Sequence, residues 1–166
     1  MAADSKQANP VSPIPTSVRL TIAALIVLIA LNLVGAIGAV VNPRVLIPVG
    51  ISLALQLLIL WGLIVGHRLA WQWGRILGLL AALLFTFSAI VMFSQSSASP
   101  APLVLILTGI TLVVQALCLY TIFFSLGRPS AREHFRLRCP SCGKLTSSAA
   151  DFFFNRAKCK ACQNVW

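Results

Sequence analysis

Four apolar stretches of bilayer length set the limits on this chain: Val18 to about Val41, Val45 to Val65, Ile76 to Phe93 and Leu103 to Leu126. Crossing the hydrocarbon core takes about 20 residues of α-helix, within a range of roughly 17 to 25. Four such runs in 166 residues leave no room for an ordinary soluble core. The composition agrees, since 58% of residues are hydrophobic and 10% charged, where a soluble domain carries about 25% charged residues. The expected fold class is all-α membrane, with four transmembrane helices over residues 18–127 and a small C-terminal module.

The breaks between runs carry helix-stopping residues. Asn42-Pro43 ends the first run, Gly66-His67-Arg68 the second and Gly127-Arg128-Pro129 the fourth, while Ser94 to Pro102 reads as a polar, uncharged turn. The ten residues from Gly66 to Arg75 read as a connection holding two arginines with Trp71 and Trp73, whose amphipathic rings suit the membrane–water interface. His67 in that connection reads as interfacial rather than as a ligand. Residues 1–17, with Pro10, Pro13 and Pro15, cannot bury a core and are expected to be a disordered tail. Gly38-Ala39 makes a cleaved signal peptide a rival reading for the first run. That run exceeds a signal core of roughly 7–15 residues, which favours a retained span.

Charge placement orients the bundle. Lys6 and Arg19 precede or open the first span, Arg68 and Arg75 follow the second, and eight more basic residues follow the fourth. Arg44 alone falls in the other two connections, so the positive-inside bias puts both termini in the cytoplasm. No Asp, Glu, Lys or Arg falls deep in a span, which disfavours a channel or transporter. Asn32, Gln56 and Gln115 are expected to bond between helices, and Cys118 to be a packing residue. The Gly62/Gly66 and Gly74/Gly78 pairs permit close helix contact, hence a homo-oligomer or a membrane protein partner.

Beyond the fourth span, Ser130-Ala131-Arg132-Glu133 has the form of a capping box. It predicts a helix over about Ala131 to Leu137 within a juxtamembrane linker, residues 128–138. Then come Cys139-Pro140-Ser141-Cys142 and, after sixteen residues, Cys159-Lys160-Ala161-Cys162. Each CxxC puts two sulfurs on one tight turn, and two such turns complete a tetrahedral thiolate site. The expected metal ligands are Cys139, Cys142, Cys159 and Cys162, holding Zn2+. Iron, which thiolates also suit, is the weaker alternative. Four thiolates close the coordination shell that a catalytic zinc leaves open. His134, Glu133 and Asp151 form no acid–base constellation beside them, so no catalytic residues are assigned and an enzyme is not expected.

Cys139-Pro140-Ser141-Cys142-Gly143-Lys144 resembles the first knuckle of the zinc ribbon family. The resemblance covers about residues 138–166 and implies a small β-hairpin module around one zinc, residues 139–166, with Gly143 at positive φ. The second knuckle departs from it by placing Gln163 where the family often has glycine. Phe152, Phe153, Phe154 and Trp166 would pack such a module, or alternatively form an exposed contact patch. The basic residues from Arg128 to Lys160 admit three readings: charge balance for the tetrathiolate, attraction to anionic lipid headgroups, and nucleic-acid binding. The favoured function is a non-enzymatic docking or assembly module in a membrane complex. A membrane-tethered nucleic-acid binder and a rubredoxin-like electron carrier are the alternatives.

Overall fold

The structure is a computed structural model and describes residues 14–39, 43–97, 100–144 and 158–165. Four long helices, α1 (Thr16–Ala39), α2 (Pro43–Val65), α3 (Arg68–Ser96) and α4 (Pro102–Gly127), precede a short α5 (Pro129–His134). The long helices run 23 to 29 residues, or about 34 to 44 Å at 1.5 Å per residue. All four are long and apolar enough to cross a membrane. Each packs on two neighbours (α1 on α2, α2 on α3, α3 on α4, α4 on α1), and no diagonal pair meets among the described residues. The result is a four-cornered up-and-down bundle. Val34, Ile51, Phe87 and Leu103, one from each helix, point large apolar side chains outward, as a hydrocarbon solvent permits.

Small residues let the helices close. Gly74, Gly78, Ala82 and Ala89 are buried along α3. A Cβ on Gly74 would stand 3.3 Å from Leu126, and one on Gly78 3.8 Å from Ile122, both on α4. Across α2 and α3, a Cβ on Gly62 would come 2.5 Å from that of Ala70. Gly62, Gly74 and Gly78 thus close helix contacts within the chain. Asn32 Nδ2 donates to Gln56 Oε1 at 3.1 Å, linking α1 to α2 as expected. Gln115 is buried on α4, and Cys118 packs half-buried against the core.

The third helix departs from expectation. It begins at Arg68, not Ile76, so the ten-residue connection shrinks to Gly66-His67. Two local devices make this possible. Gly66, at φ 77°, ends α2 with paired bonds from His67 N to Gly62 O (2.8 Å) and Gly66 N to Leu63 O (3.3 Å), the Schellman pattern. His67 Nδ1 then accepts from Leu69 N at 3.3 Å and caps α3. Arginine and tryptophan read as loop because they are polar at one end. Both can snorkel from a helix, with the stem in apolar surroundings and the tip in water.

The linker helix also shifts. The N-cap is Arg128, with Pro129 in the first turn and no side-chain cap, so the expected capping box does not form. Proline at the first helical position has its φ pre-set and no amide to satisfy, which starts the helix two residues early. Ser130 Oγ instead lies 3.0 Å from Ser17 Oγ, joining α5 to the start of α1. Glu133 pairs at 3.7 Å with Arg138 in an exposed contact, of the kind worth about 1 kcal/mol or less.

Candidate metal centre

The segment between bundle and cysteines is a plug rather than a tether. After α5 the chain turns at Arg136, whose φ is 51°. Leu137 N donates to Arg132 O and Arg136 N to Glu133 O, both at 3.0 Å. This is again the Schellman arrangement, with arginine where glycine is usual. The turn sends Phe135 and Leu137 into the bundle end, where they join Val18, Leu63, Leu126 and Ala131 in one buried cluster. Arg68, only 2% exposed, donates from Nε to Phe135 O at 3.4 Å and from Nη2 to Arg136 O at 3.0 Å. The first cysteine follows Leu137 by two residues, so packing and hydrogen bonds fix where the site begins.

The two knuckles share one backbone design. Gly143 N donates to Cys139 O at 2.9 Å and Cys139 N to Lys144 O at 2.9 Å. In the second, Gln163 N donates to Cys159 O at 2.9 Å and Cys159 N to Asn164 O at 2.8 Å. Gly143 has φ 66°, as the resemblance implies, and Gln163 adopts φ 59° in the equivalent place. Asn164 Nδ2 donates to Ser141 Oγ at 2.8 Å and braces one knuckle on the other. Lys158 and Val165 form a single antiparallel bridge. Among the described residues the tail holds no strand, so the β-hairpin module is not shown.

This symmetry brings the sulfurs together. Cys139 Sγ lies 3.5 Å from Cys162 Sγ, and Cys142 Sγ 3.4 Å from Cys159 Sγ. All four fall within 4.8 Å of one another, and all are free thiols. A tetrahedron with metal–sulfur distances of about 2.3 Å has sulfurs about 3.8 Å apart. The four cysteines are thus positioned to bind a metal ion.

The thiols are not equivalent. The backbone N–H of Cys162, then that of Ala161, is directed at Cys159 and pulls its thiol down to about 6 against the opposing effect of burial. Burial raises Cys139, yet the amides of Cys142 and Ser141 bring it below its ordinary value. At Cys162 the Asn164 amide favours the thiolate, but the neighbouring Cys139 thiol and burial outweigh it and push the group up to about 12. The Lys144 amide acts likewise on Cys142, and the Cys159 thiol and burial raise it overall. Without metal, the first cysteine of each knuckle gives up its proton more readily than the second.

No other group joins the cluster among the described residues. His67 caps α3, and His134 stands edge-on to Phe135 at 5.1 Å. Glu133 faces Arg138, and Asp151, Phe152, Phe153, Phe154 and Trp166 lie outside the described residues. Arg68 is the residue that sequence reasoning missed, being read as a loop charge. The signal for the plug was there: Phe135 and Leu137 alternate with Arg136 and Arg138, an apolar pair in an otherwise basic stretch. No family model matches the chain, and neither does a curated protein or a solved structure.

Proposed function

We propose that the chain is a membrane-embedded docking or assembly protein, with a cytoplasmic tail that holds a structural zinc ion. The convergence of four thiols from two braced knuckles, with no histidine or carboxylate joining them among the described residues, carries this reading. Such a donor set suits zinc and leaves no open position for a substrate. Zinc, when bound, supplies folding energy to a tail too short to build a sizeable core of its own. The zinc ribbon resemblance supports the same assignment for Cys139, Cys142, Cys159 and Cys162.

Orientation follows from charge. The starts of α1 and α3 and all of α5 share one end of the bundle, joined by the Ser17–Ser130 and Arg68–Arg136 contacts. Twelve of the thirteen basic residues belong to that end or to the segments leaving it, and such an end is retained in the cytoplasm. The exposed faces of Ser141 to Lys144 and Lys160 to Val165 then present a small rigid surface just below the bilayer.

The test is to purify the intact protein from membranes after crosslinking, with its metal measured and its partners identified. About one colourless zinc per chain is expected, with a partner protein retained by the natural chain and lost from Cys142→Ser at equal membrane abundance. An identical partner set for the two proteins would sink the docking role. A visible-region chromophore with bound iron would make the tail an electron carrier. Salt-sensitive recovery of nucleic acid would make it a nucleic-acid binder.

A further inference from the structure

At the bundle end that carries α5, two guanidinium groups lie near each other, with no carboxylate between them among the described residues. Arg75 lies on α3 with Cζ 5.1 Å from the Trp71 ring centroid and 5.1 Å from that of Phe123. Its Nη2 stands 3.7 Å from the point where a side chain on Gly127 would begin. Arg132, on α5, is near enough for its charge to repel that of Arg75. The Nε of both residues is buried and has no hydrogen-bond partner. Glu133, the only carboxylate among the described residues, is engaged with Arg138.

Arg68 and Trp71 at the same end do not share this condition. Arg68 meets two carbonyls, and Trp71 Nε1 donates to Leu126 O at 2.8 Å. Among the described residues the buried side-chain nitrogens without a partner are His134 Nε2 and the Nε of Arg75 and Arg132, and the two like charges held near each other call for an anion between them. An anion with several oxygens fits best, because guanidinium forks pair with phosphate oxygens two at a time. Trp71, bonded to the last turn of α4, marks this level as the membrane–water boundary, where lipid phosphates stand. Gly127 leaves room beside Arg75 that a larger residue would fill.

We propose that Arg75 and Arg132 form a binding site for a phosphate group at the cytoplasmic end of the bundle, supplied by an anionic lipid headgroup or by free phosphate. The site lies apart from the cysteines and does not depend on the metal. Its lipid source rests on the membrane-spanning reading.

The full chain would be reconstituted into nanodiscs of phosphatidylcholine with phosphatidylglycerol, and retained lipid counted by native mass spectrometry after delipidation. Phosphatidylglycerol should be retained over phosphatidylcholine. Arg132→Gln should weaken retention roughly tenfold, and Arg75→Lys, which keeps a cation but loses the fork, should also weaken it. Arg128→Gln removes the same charge from an exposed neighbour and should behave as the natural chain. Displacement of the lipid by millimolar inorganic phosphate would assign the site to free phosphate, and selective retention despite it would assign the site to the headgroup. Equal loss in Arg128→Gln and Arg132→Gln, or no retention of either phosphate source, would overturn the site. Alkaline extraction of the same proteins reports insertion separately, so a failed site is not confused with a failed membrane assignment.

Discussion

Arg68 Nη2 donates to the carbonyl oxygen of Arg136 at 3.0 Å, tying the first residue of α3 to the turn that follows α5. The contact makes a charged side chain part of the bundle's lid. Removing it in Arg68→Met leaves the Phe135 and Arg136 carbonyls without this donor in a dry site. The expected cost is about 2–4 kcal/mol, seen as a lower unfolding temperature in detergent and faster proteolysis near Arg136. Unchanged stability and proteolysis would show that the lid closes without this bond.

Metal content should follow the knuckles and ignore the fifth cysteine. Cys142→Ser is expected to lose most of its metal to a mild chelator, whereas Cys118→Ser, within α4, should keep about one ion per chain. Full metal in Cys142→Ser would remove that residue from the ligand set.

Acid should strip the ion. Cys142 and Cys162 hold protons in the metal-free site, so binding at neutral pH must displace them, and protons compete with the metal as pH falls. With two protons released per ion, affinity should drop about a hundredfold per pH unit from about pH 8 downward. The fall should steepen near pH 6, where Cys159, pulled down to about 6, begins to take a proton too. Competition against a chromophoric chelator across this range measures the slope. A flat profile would contradict it.

Among the described residues, two that are not glycine occupy the left-handed region, Arg136 at φ 51° and Gln163 at φ 59°. Glycine enters that region freely, so Gln163→Gly should strengthen the second knuckle by up to about 1 kcal/mol. Gly143→Ala should weaken the first by a similar amount, although nothing lies within 4 Å of the added methyl, because its φ is 66°. Metal affinities of the two variants, moving in opposite directions, check both expectations.

The helix-packing glycines should separate by what they touch. Gly62→Ala would force its Cβ to 2.5 Å from that of Ala70, and Gly109→Ala would meet the Phe93 ring at 2.8 Å, each costing about 1–3 kcal/mol. Gly35→Ala has nothing within 4 Å and should be neutral or slightly stabilising, as alanine favours a helix. Thermal unfolding of the three proteins orders them.

The long helices and the cysteine cluster were legible from the chain alone, for reasons that act locally. An apolar run of bilayer length has no way to satisfy its backbone in hydrocarbon except as a helix. Two cysteines three residues apart sit on one turn whatever surrounds them. The same locality explains the Asn32–Gln56 bond, since polar amides in adjacent spans have few other partners. It also explains the positive φ of Gly143, which the knuckle itself demands.

Elsewhere the deciding partners are distant in sequence. The charge and indole of Arg68 and Trp71 find their places only in the packed bundle, Trp71 on the Leu126 carbonyl of α4 and Arg68 on the Phe135 and Arg136 carbonyls once α5 has docked. The Gly62 and Gly74 positions look alike from the outside and inside of a bundle until Ala70 and Leu126 arrive beside them. Period and spacing are properties of a chain, and they determined four spans and one cluster of thiols. Which polar groups end up buried, and against what, is a property of packing, and the folded bundle alone decided that Arg68 would seal its end.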